Sequence, residues 1–141
     1  MRYSATLLVA AILFSGCATT QSIPVENRSR TYSASEDEAI TAVVDAATEE
    51  GYPIETIDRQ TGMVVTGRKS NSTVAAAFVG NQSRKLQAQV DSVGSGSRVV
   101  LTLVYESENA FGQSSAQSVG KSAAVDMYDE WFALIEKQLE Q

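Results

Sequence analysis

Histidine is absent from all 141 residues, and Cys17 is the only thiol. Serine–histidine and cysteine–histidine nucleophiles therefore lack a base, and a histidine-based metal site lacks its ligands. Carboxylates are the chemistry that remains. Glu106 and Glu108 stand at the end of an alternating segment, where paired carboxylates can do acid–base work or hold a divalent cation. Acidic side chains are far more often solvated surface charges, and that is the reading expected here. Gly94-Ser95-Gly96 has no lysine-bearing helix start behind it, so it reads as a hairpin turn and not as a phosphate loop. No catalytic residue, no metal ligand and no cofactor is expected, and the chain is not expected to be an enzyme.

The thiol has a different use. Arg2 gives a positive start, residues 5–14 form an apolar run too short to span a bilayer as a helix, and Ser15-Gly16 places small residues directly before Cys17. This arrangement marks a lipoprotein signal peptide, in which Cys17 becomes the acylated first residue of the mature chain. Phe14 departs from the aliphatic residue usual three places before the cysteine, yet it also stands where an ordinary secretory cleavage site takes a small residue. Residues 1–16 are expected to be the signal and residues 17–33 a lipidated flexible tether. The tether reading follows from a polar stretch, Ala18 to Tyr32, with neither apolar period. Residues 34–141 are expected to form one domain.

Cleavage before Cys17 leaves 125 residues with 10 basic and 17 acidic side chains, a formal charge of −7 once the new N-terminus is acylated. A body this acidic is repelled by phosphate backbones and anionic lipid surfaces, which disfavours nucleic acid as a partner and leaves the acyl chains to hold the membrane. With the one cysteine lipidated, no internal disulfide is available and packing alone must hold the fold.

Residues 36–50 predict a helix. Ser35 and Glu38 fit a capping box, Gly51 and Pro53 mark the stop, and Ile40, Val43, Val44 and Ala47 form one apolar stripe. Residues 54–58 and 63–68 read as a hairpin across Arg59-Gln60-Thr61-Gly62. Residues 84–93 alternate Leu86, Ala88 and Val90 against Lys85, Gln87, Gln89 and Asp91. After a Gly94–Ser97 turn, residues 98–106 alternate Val99, Leu101, Leu103 and Tyr105 against Val100, Thr102, Val104 and Glu106, two sides too alike in polarity to choose the buried one. Residues 118–139 predict a long helix whose stripe is Ala124, Met127, Tyr128, Trp131, Leu134 and Ile135, the aromatics anchoring it to a sheet. The expected fold class is α+β, a two-layer arrangement with a four-stranded antiparallel sheet and an N-terminal and a long C-terminal helix packed on one face.

Residues 70–83 break the strand rhythm. A connection of this length exceeds an ordinary hairpin loop, and it carries the apolar run Val74 to Val79. Val74, Phe78 and Val79 are the candidate interaction residues, as a flap offered to a protein or to the bilayer. The alternative is a short element that caps the core.

The Glu50-Gly51-Tyr52 helix end, the Asp58–Gly62 turn, the Phe111-Gly112-Gln113 loop and the Tyr128–Phe132 segment together resemble small bacterial envelope lipoproteins of unknown function. The element order is similar to the helix-grip domains of BamC-type lipoproteins of the barrel assembly machinery. The resemblance implies a fold and a type of role: a membrane-anchored, non-catalytic module for protein interaction or envelope assembly, with an envelope protein as partner. Ala18, where an aspartate would favour inner-membrane retention, implies an outer-membrane location facing the periplasm in a Gram-negative cell. A periplasmic carrier or sensor of a small apolar, lipid-like ligand is the alternative function.

Overall fold

The computed structural model of the chain describes residues 23–70, 81–108, 114–116 and 121–141. After a single 3-10 turn at Val25–Asn27 come β1 (Ser29–Tyr32), α1 (Glu36–Glu49), β2 (Ile54–Asp58), β3 (Met63–Thr66), β4 (Lys69–Ser70), β5 (Asn81–Val93), β6 (Gly96–Glu108), β7 (Ser114–Ala116) and α2 (Lys121–Leu139).

The class is α+β, with an antiparallel sheet and two helices, as the sequence leads one to expect. The sheet is larger than four strands. Its seven strand segments run in the order β1-β6-β5-β3-β2, with β4 also on β5 and β7 also on β6. The four expected strands form the middle and one edge. The addition comes from the stretch expected to be tether: Ser29–Tyr32 pairs with β6 from Ser29↔Val100 to Tyr32↔Ser97. The ordered fold therefore starts well before residue 34, and Ile23 already packs against the core. The long connection is also shorter than its sequence suggests. Lys69–Ser70 pairs with Arg84 and Ser83, and β5 begins at Asn81.

Local chemistry accounts for the elements. In α1 the backbone N–H of Ser35 donates to Glu38 Oε2 at 2.8 Å, and the Glu38 N–H donates to Ser35 Oγ at 3.4 Å, closing the capping box. Gly62 ends the β2–β3 turn at φ 68°. An added Cβ there would run into the Val90 carbonyl carbon and oxygen, so only glycine fits. The β5–β6 hairpin closes over Gly94-Ser95 and pairs without a break from Val93↔Gly96 to Asn81↔Glu108.

The register settles which side of β6 faces inward. Val99 and Leu101 sit opposite Val90 and Ala88, and all four are buried together with Leu86 and Val64. Ile40, Val43 and Ala47 of α1 complete this layer, and Phe132, Ile135, Tyr128 and Trp131 of α2 close it. Trp131 meets Tyr52 edge-on at 5.3 Å between ring centres. The Tyr128 hydroxyl accepts the Leu103 N–H at 3.2 Å, and Arg28 donates to the Leu101 carbonyl and to Thr102 Oγ1. These side chains satisfy part of the β6 edge that lies between the short partners β1 and β7.

Candidate functional site: an acidic groove between the helices

On α1, Asp37, Thr41 and Asp45 recur at a spacing of four and share one face. The last turn of α2 and the residue that follows it bring Glu136, Gln138, Leu139 and Glu140 to the same place, and the Tyr32-Ser33-Ala34 link leaving β1 closes one end. Together they line an open groove of about 780 Å³. The helices are pinned beside it by Glu49, whose carboxylate accepts from Lys137 Nζ at 2.6 Å and from Gln138 Nε2 at 2.6 Å.

Five carboxylates line this groove: Asp37, Glu38, Asp45, Glu136 and Glu140. Asp37 is engaged with Arg59 at 2.8 Å at the rim, and Glu38 is held in the Ser35 cap, where that hydroxyl keeps its carboxyl below the usual range. Asp45, Glu136 and Glu140 form no ion pair among the described residues. The Tyr32 hydroxyl is buried without a hydrogen-bond partner among the described residues. Burial, and secondarily the Glu136 carboxylate, push its phenol above the ordinary tyrosine range, so it stays a neutral donor. Among the described residues no group of three or more acidic or thiol side chains converges to hold a metal ion. The negative charge is spread along the groove, which suits an extended cationic surface better than a point charge.

The expected site residues fare differently. Cys17, Val74, Phe78 and Val79 lie outside the described residues. Glu106 is drawn into an ion pair with Arg68 at 2.8 Å. Glu108 lies opposite Ser114 at the β6–β7 pairing. The sequence does not reveal the groove, because Asp37, Asp45, Glu136 and Glu140 each read locally as the solvated side of an amphipathic helix. Only the tertiary crossing of two helices distant in sequence brings them together.

No family model matches the chain, and no curated protein matches it. Among solved structures it is similar to a DUF4468 family protein from Bacteroides ovatus, with a TM-score of 0.50, 12% identity, and coverage of 84% of this chain and 91% of that one. At that identity the likeness shows the fold alone: a two-helix α+β domain of nearly the same extent.

Proposed function

We propose that this chain is a membrane-anchored bacterial lipoprotein, acylated at Cys17, that serves the cell envelope as a non-catalytic protein-interaction module. In a Gram-negative cell it would face the periplasm from the outer membrane. The observation that carries the interaction reading is the groove. Its unpaired carboxylates, Asp45, Glu136 and Glu140, offer hydrogen-bond acceptors and negative charge to a basic protein segment. An apolar ligand carrier is less well supported, since the space between sheet and helices is filled by Phe132, Trp131, Tyr128 and Ile135.

The test is crosslinking in native membranes with the groove charges reversed. Asp45 and Glu136 are both exposed, so Asp45→Lys with Glu136→Lys should leave the unfolding midpoint nearly unchanged. The crosslinked species seen with the unaltered chain should be lost. Crosslinks that persist at full yield would remove the groove from the interface. Val74, Phe78 and Val79 then become the alternative surface, and Val74→Ser with Phe78→Ser should abolish the crosslinks without lowering the midpoint.

A further inference from the structure

The distance between the lipid and the fold is shorter than the polar composition of the N-terminal stretch implies. Ile23 is partly buried against the core. Beyond it the chain is held by Asn27 N–H donating to the Pro24 carbonyl at 3.0 Å, Arg28 N–H to the Val25 carbonyl at 3.1 Å and Leu101 N–H to the Arg28 carbonyl at 2.8 Å. Only Ala18, Thr19, Thr20, Gln21 and Ser22 separate Cys17 from Ile23. Whatever conformation those residues take, covalent geometry limits the separation to about 20 Å.

Two further observations give this reach a direction. The entry point lies beside β1, at one edge of the sheet, while β2 forms the opposite edge, four strand spacings or about 19 Å away. At the entry point stands Val25, which at 49% exposure is the most exposed large hydrophobic side chain among the described residues. A single exposed valine means little by itself. Two residues from the end of a short lipid leash, it is the exposed large apolar side chain nearest the lipid along the described chain. From there β1 leads away to Tyr32 and the acidic groove, which an anionic bilayer would repel.

We infer that the lipid bilayer is the partner of the N-terminal end of the β1 edge: the domain rests on the membrane surface through the Val25 turn instead of swinging free of it, and the groove at the other end of β1 and the β2 edge are presented to the periplasm. This rests on the acylation of Cys17 proposed above. The test uses the full lipidated protein reconstituted in phosphatidylcholine vesicles. Because lipid occupies the native thiol, Val25→Cys and Gln60→Cys each accept one environment-sensitive fluorophore, the second on the β2–β3 turn at the far edge. Quenching by a headgroup-level spin-labelled lipid should be severalfold stronger at position 25 than at position 60. Inserting a Gly/Ser segment of about 30 residues between Ser22 and Ile23, with a coil span of about 30 Å, should bring position 25 down to the level of position 60.

Protein that fails to float with the vesicles overturns the acylation reading, and the bilayer contact with it. Protein that floats but is quenched equally weakly at both positions overturns the bilayer contact alone. Strong quenching at position 25 that survives the long insertion would uphold the bilayer contact and overturn only the short leash as its cause.

Discussion

Ser35 and Glu38 satisfy each other's backbone donors at the start of α1, and this is the smallest unit on which the fold depends. Ser35→Ala removes an acceptor for the Glu38 N–H and should lower stability by about 1 kcal/mol, measurable as a lower urea midpoint with an unchanged slope. Among the described residues, three carboxyl groups are held below their ordinary range: Glu38 by the Ser35 hydroxyl and backbone, Glu49 by Lys137 and Gln138, and Asp58 by the Thr61 hydroxyl and the backbone of Gln60 and Thr61. A depressed folded-state pKa stabilises the native state above the unfolded value and loses that contribution as pH falls through the folded value. Stability should thus be level near neutrality and fall as pH drops below about 4. Glu49→Gln should show a shallower acid-side fall than the unaltered chain in denaturation curves at several pH values. An equally steep fall would assign the acid sensitivity to other carboxylates.

At the scale of elements, the aromatic stripe of α2 is the largest single investment. Trp131 is 8% exposed and Phe132 2%, and both close the layer that α1 and the sheet begin. Trp131→Ala should cost about 3–5 kcal/mol by chemical denaturation of the soluble domain, and an unchanged midpoint would put the side chain outside the core. Gly62→Ala should cost more than about 1 kcal/mol, because the positive φ and the Val90 carbonyl both oppose a Cβ. These elements were legible in the sequence because each carries its own periodicity or cap: the Ile40 stripe, the Leu86–Val90 alternation, the Ser35 box, the glycine turn. β1 was not. Ser29-Arg30-Thr31-Tyr32 contains no apolar alternation, and its inward residues are Arg30, which pairs with Asp129 at 2.6 Å and lies over the Phe132 ring, and Tyr32. It is a strand because β7 covers only Glu106–Glu108 on the side of β6 away from β5 and leaves an open edge at Ser97–Val100, a cause that lies about 70 residues away. The inward side of β6 was undecidable for a related reason: valine occupies both faces, and only the register with β5 separates them.

At the scale of the molecule, the chain is an α+β domain with an acidic groove, which is proposed to sit close to a membrane and to meet a basic protein surface. The fold class was legible from element order, but the groove was not, since its carboxylates belong to two helix faces that each look solvated. Charge also governs the association expected of it. Crosslinking to a basic partner through Asp45, Glu136 and Glu140 should weaken as salt screens those groups, with most of the loss between low and physiological ionic strength. A partner whose crosslinking yield is indifferent to salt would point to an apolar contact instead, with Val74 and Phe78 as the residues to examine. The envelope location and the bilayer contact rest on lipidation of Cys17. Metabolic labelling with a palmitate analogue should put label on the unaltered protein and none on Cys17→Ser, whereas an unlabelled wild-type protein would show that Cys17 is not acylated.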